Sequence, residues 1–165
     1  MTTLQQAVQQ CFDLLRGVDP AIPLVYDRLT PEEGTRRFPY NDATGKQVTC
    51  KPEGNLTIGR GTNLEVGFDD NEIQWTELYR IAVVADQLAG YSWYKGLDPM
   101  RASVLLDVGY NGGVNGLLTF SHMLAAISIR DWAIAGEQLL NSQAGNDPKT
   151  HGRYVALADL LTNGA

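Results

Sequence analysis

The chain has 165 residues, is 44% hydrophobic and 19% charged, and carries a net charge of −6. That balance belongs to an ordinary globular protein, long enough to bury one core. The acidic surplus argues against nucleic acid as a partner, and the scattered basic residues form no polybasic membrane anchor.

No apolar run reaches membrane-spanning length, and residues 1–6 lack the basic and apolar regions of a signal peptide. Cys11 and Cys50 have no neighbours at metal-ligand spacing and read as free thiols. With His122 and His151 the only histidines, no metal centre is expected.

Residues 3–16 place Leu4, Val8, Cys11, Leu14 and Leu15 at near-helical spacing, so an amphipathic helix is expected, closed by Gly17 and Asp19-Pro20. A second helix starts near Pro23, carries Leu24, Val25 and Leu29, and stops at Gly34. Pro31 lies inside it, so a bend or a 3₁₀ turn is expected there. From Phe38 to Arg60 the signals are short strands and turns. Gln47-Val48-Thr49 and Leu56-Thr57-Ile58 are strand-like, while Asp42-Ala43-Thr44-Gly45 and Lys51-Pro52-Glu53-Gly54 are turn clusters.

Asp69-Asp70-Asn71-Glu72 opens a long helix through Leu88, with its acidic residues where the macrodipole favours them. Asp98-Pro99 opens another, ending at Gly109. A glycine- and amide-rich loop is expected over 110–116, then helices at about 117–128, 131–142 and 148–162. The expected class is α+β, mostly helical, in one domain. Residues 1–20 form an extra N-terminal helix, 21–68 a helix and an antiparallel hairpin lobe with one small sheet, and 69–165 a bridging helix and a helical lobe.

The chemistry lies between Glu33 and Gly61. A helix that ends at Glu33-Gly34, followed by a hairpin, can bring Glu33, Asp42 and Thr57 to one cleft wall. A glycosidase needs a proton donor at the leaving oxygen and a second carboxylate; room for a water beside the latter gives inversion. A carboxyl at a helix C-terminus faces the negative end of the dipole, which favours its neutral form and suits Glu33 as donor. Asp42, in a turn, is better solvated and stays ionised, and Thr57 offers a hydroxyl to hold the water. Taken singly, a Glu before a helix-ending Gly is usually a solvated residue, and an Asp in a turn usually caps its own backbone.

The order of the whole stretch is more specific. Glu33-Gly34, Arg36, Tyr40 and Asp42, followed by Thr57-Ile58-Gly59-Arg60-Gly61, resemble the phage-type lysozymes, the muramidase family that includes many tailed-phage endolysins. Tyr110-Asn111-Gly112-Gly113, with Phe120 beyond, is similar to a loop of that family's C-terminal lobe, and Arg153 is similar to its arginine near the catalytic glutamate. The resemblance covers about residues 25–164.

It implies a lysozyme-like fold and hydrolysis of the β-1,4 bond between N-acetylmuramic acid and N-acetylglucosamine in peptidoglycan. Glu33 is then the general acid, Asp42 positions or activates the water, and Thr57 orients it. Tyr110, Asn111 and Gly113 line sugar subsites, and Arg153 pairs with Glu33. No cofactor or metal is implied.

The implied partners are peptidoglycan glycan strands and a holin that gives access to the wall. A monomer is expected in the host bacterial cytoplasm until lysis, acting then on the periplasmic cell wall. A lytic transglycosylase and an inactive peptidoglycan-binding phage module are the alternatives. The chain departs from the pattern by the added N-terminal helix, by about ten extra residues between Asp42 and Thr57, and by Thr62 where some members have histidine.

Overall fold

The computed structural model describes residues 3–33, 38–41, 44, 46–47, 57–58 and 62–164. Helices α1 (Thr3–Arg16) and α2 (Ile22–Glu33) come first. Short strands β1 (Tyr40–Asn41), β2 (Lys46–Gln47), β3 (Thr57–Ile58) and β4 (Thr62–Asn63) follow. Helix α3 (Asp70–Leu88) leads into α4 (Pro99–Leu118), α5 (Ser121–Ser128), α6 (Trp132–Leu140), α7 (Gln143–Asn146) and α8 (His151–Asn163).

The helix starts follow local chemistry. Asp69 accepts from the Glu72 amide while the Glu72 side chain accepts from the Asp69 amide, a reciprocal cap on α3. Asp98 accepts from the Arg101 amide at 3.0 Å, with Pro99 in the first turn of α4. At about 1.5 Å per residue, the 19 residues of α3 span about 28 Å. No helix among the described residues is long and apolar enough to cross a membrane.

Four expectations need correcting. Helix α2 is α-helical through Pro31 to Glu33, which removes the 3₁₀ alternative of the expected bend or 3₁₀ turn. In α1, Cys11 and Leu14 are exposed, while Phe12 is buried and Leu15 partly so; the packed stripe is therefore rotated towards Phe12.

The expected single sheet is two separate antiparallel ladders among the described residues. Tyr40 pairs with Gln47 and Asn41 with Lys46; Thr57 pairs with Asn63 and Ile58 with Thr62. Each closes over its own short connection, so neither requires the other.

The fourth correction bears on the site. Residues 110–116 are not a loop: α4 runs past Gly109 to Leu118, broken only at Gly113, where φ is 71° and ψ is 159°. Gly109 marks a crossing instead of an end. A Cβ there would lie 2.8 Å from Val84 Cγ1, so the glycine lets α4 press against α3.

One hydrophobic cluster joins the helices. Ile22, Val25 and Leu29 of α2 and Leu78, Ile81 and Leu88 of α3 belong to it. So do Leu105 and Leu106 of α4, Ile127 of α5, and Leu157 and Leu161 of α8. Helix α6 packs on α5 and α8, and α2 packs on both α3 and α4.

Arg101, in the first turn of α4, donates to the carbonyls of Leu161 and Thr162 at 2.9 Å each. It also lies 4.3 Å from the centre of the Trp132 ring. It thus closes the end of α8 and covers the start of α6. Trp75 is exposed and stacks on Tyr79, and Trp93 stacks on Tyr91; both pairs lie apart from the cavity described below.

Candidate functional site

Glu33 is the last residue of α2 and Thr57 the first of β3. Their side chains, and all of Asp42, lie outside the described residues, as do Gly34, Arg36, Gly59, Gly61 and Cys50. The other sequence-predicted residues are described. Tyr110, Asn111 and Gly113 sit in the second half of α4, and Arg153 in the first turn of α8. Cys11 is an exposed free thiol, and no group of potential metal ligands occurs among the described residues.

A charged cluster that periodicity did not reveal ties α2, α4 and α8 together. Asp107 is fully buried; with Ser103 it makes up the buried polar residues among those described. Its Oδ2 accepts from Arg28 Nε at 2.7 Å. Its Oδ1 accepts from Arg153 Nε at 3.1 Å and Nη2 at 2.5 Å.

Arg28 also donates through Nη2 to the Ser103 carbonyl at 2.9 Å, and through Nη1 to Ser103 Oγ at 3.3 Å. Arg153 Nη1 reaches the Asn111 Oδ1 at 3.2 Å, and Asn111 Nδ2 returns to the Asp107 carbonyl at 2.9 Å. A buried carboxylate is tolerated when cations and donors satisfy its oxygens, and both oxygens of Asp107 are so engaged.

Beside this cluster is a cavity of about 610 Å³ between the second half of α4 and α5–α8. Three cluster residues are next in sequence to lining residues: Asp107 to Val108, Asn111 to Gly112, and Arg153 to Tyr154. Gly112 and Gly116 lie on the wall, on either side of the break at Gly113. A Cβ at either would meet nothing within 4 Å, so neither glycine is required by packing.

Gln138 and Asn141 also line the cavity, with no hydrogen-bond partner for their amides among the described residues. Ser142 is fixed differently, donating to the Leu139 carbonyl at 2.7 Å and accepting from the Gly145 amide at 3.0 Å. The Tyr154 phenol is pushed above its ordinary pKa, first by burial; the Arg153 charge opposes this and the Asp107 charge adds to it. It stays a neutral donor at physiological pH.

The expected pairing of Arg153 with Glu33 falls on a side chain outside the description. The described partners of Arg153 include Asp107 and Asn111. Tyr110 is half-buried and packs against the core cluster, whereas Asn111 and Gly113 are exposed.

His122 is exposed on the cavity wall. Arg28, Ser103 and Asp107 were missed altogether. Their one signal was an aspartate inside the apolar run Val104-Leu105-Leu106-Asp107-Val108, a setting in which aspartate needs a cation.

Comparison of the chain with models of protein families, with curated proteins and with solved structures gave no match.

Proposed function

We propose that the chain is a phage-type endolysin, a muramidase that hydrolyses the β-1,4 bond between N-acetylmuramic acid and N-acetylglucosamine in peptidoglycan. The observation that carries this reading is the motif order Glu33-Gly34-x-Arg36, Tyr40-x-Asp42 and Thr57-Ile58-Gly59-x-Gly61. The first motif begins at the end of α2, and the third begins in a strand of a short antiparallel ladder. Support also comes from the long α3, which leads into a group of helices that line an open cavity carrying several polar side chains.

In this reading Glu33, at the negative end of the α2 dipole, protonates the leaving glycosidic oxygen. Asp42 and Thr57 hold a water for attack on the opposite face of the sugar, which gives inversion. The Gln138 and Asn141 amides and the Tyr154 hydroxyl suit the hydroxyl and N-acetyl groups of a glycan. Bare backbone at Gly112 and Gly116 leaves room for its bulky substituents. Lysozyme-like lobes, a monomeric state, release to the wall by a holin, and lysis of a bacterial host belong to the same proposal.

The test is lysis of purified peptidoglycan by the protein and by Glu33→Gln, with mass spectrometry of the fragments. Reducing N-acetylmuramic acid ends from the parent alone support the reading. Anhydro ends identify a lytic transglycosylase instead, and no fragments from either protein identify a binding module.

A further inference from the structure

Asp107 has no part in the acid–water chemistry assigned to Glu33, Asp42 and Thr57, yet it is the most deeply buried charge described, at 1% side-chain exposure. Burying a carboxylate between two arginines is an expensive way to join three helices. Apolar side chains of similar volume commonly hold such a place equally well or better. What they cannot supply is direction.

The carboxylate gives one oxygen to each arginine. Oδ2 fixes Arg28, five residues before Glu33 and about 7.5 Å back along the axis of α2. Oδ1 takes both Nε and Nη2 of Arg153, which sets the plane of that guanidinium and aims Nη1 at Asn111. A single anion therefore ties α2, five residues before Glu33, to α4 and α8.

We propose that Asp107 is a positioning residue of the glycosidase site: through Arg28 it holds the helix that presents Glu33, and through Arg153 it holds the Asn111 side chain. This inference rests on the muramidase reading. Asp107 touches no substrate in it and acts through the two arginines.

The test measures reducing ends released from purified peptidoglycan, with kcat and KM determined separately. It compares the parent, Asp107→Asn, Arg153→Lys and the double variant, at a temperature where circular dichroism shows each fully folded. Replacing one carboxylate oxygen by an amide sets a donor against one arginine. Asp107→Asn should therefore lower kcat by about tenfold or more with KM within about threefold, as expected of misplaced reacting groups. Arg153→Lys keeps the charge, loses the planar fork and should fall likewise, while the double variant should be no slower than the slower single variant.

A folded Asp107→Asn protein within about twofold of the parent's kcat overturns the inference and leaves the muramidase reading standing. If Asp107→Asn does not fold, Arg28→Lys decides, because it keeps a cation beside the carboxylate and loses only direction. A several-fold fall in its kcat supports the inference, and a parent-like kcat overturns it. A parent that releases no reducing ends overturns the muramidase reading itself, and the positioning role with it.

Discussion

Asn111 is gripped from both sides by Arg153 and its own helix. The amide oxygen accepts from Arg153 Nη1 at 3.2 Å, and the amide nitrogen donates to the Asp107 carbonyl one turn back at 2.9 Å. An exposed amide held at both ends has a fixed orientation, which an unrestrained surface side chain lacks. Asn111→Ala is expected to leave the melting temperature nearly unchanged, within about 0.5–1 kcal/mol of the parent. The rate of wall lysis should fall about tenfold through loss of that orientation. Thermal melts beside turbidity assays on cell walls separate the two effects.

Two glycines should respond in opposite ways. Gly136 sits where α6 meets α8, and a Cβ there would strike Thr162 Oγ1 and crowd the Ala158 carbonyl. Gly136→Ala should therefore cost about 1–3 kcal/mol by overpacking. A Cβ at Gly112 meets nothing, so Gly112→Ala should stabilise α4 by about 0.5–1 kcal/mol. The same methyl group intrudes on the cavity and should slow lysis. Chemical denaturation of both variants checks the signs, and equal destabilisation would refute the distinction.

The acid limb of stability should contain a contribution from Asp98. Burial raises its pKa, but hydrogen bonds from the Arg101 backbone and side chain and the Arg101 charge outweigh this, leaving it below the ordinary 3.8. A depressed carboxyl stabilises the fold fully above pH 3.8 and loses that contribution as pH falls towards its folded pKa. Asp98→Ala removes the cap of α4 and should cost about 1–2 kcal/mol at neutral pH. The difference from the parent should narrow on acidification, as read from denaturation midpoints between neutrality and acid.

The alkaline limb should contain Tyr94. Its hydroxyl donates to Asp19 Oδ2 at 2.8 Å, and burial, that bond and the Asp19 charge together push it far above its ordinary 10.0. The unfolded chain ionises above pH 10.0 while the folded phenol stays neutral, so this contribution is intact below that pH and lost above it. Tyr94→Phe should lower stability by about 1.5–3 kcal/mol at neutral pH, the range for a hydrogen bond to a charged group. It should also flatten the decline above pH 10.0. Denaturant midpoints across that range test both.

Much of the fold was legible because its signals are local. Asp69 and Glu72, Asp98 and Pro99, and the spacing of Leu78, Ile81, Ala82, Ala85 and Leu88 depend only on near neighbours, and each acts as its chemistry demands. Gly109 was misread because a glycine that ends a helix and one that admits a neighbouring helix look identical until Val84 is in place. Residues 110–116 read as a loop because glycine and amide residues signal turns, whereas α4 continues through them with a break at Gly113.

The candidate site divides in the same way. Its motif is a pattern in sequence, whereas the Arg28–Asp107–Arg153 cluster exists only after three distant helices have met.

That distance also sets a clock. Arg28 leaves the ribosome 79 residues ahead of the carboxylate that it will bind. At about 5–20 residues per second the interval is roughly 4–16 seconds. For most of it Val25 and Leu29, both destined for full burial, lack α3, which is complete only at Leu88, and for all of it they lack the finished α4. During synthesis, the docking of the segment that ends in Glu33 onto α4 must therefore await the making of that helix.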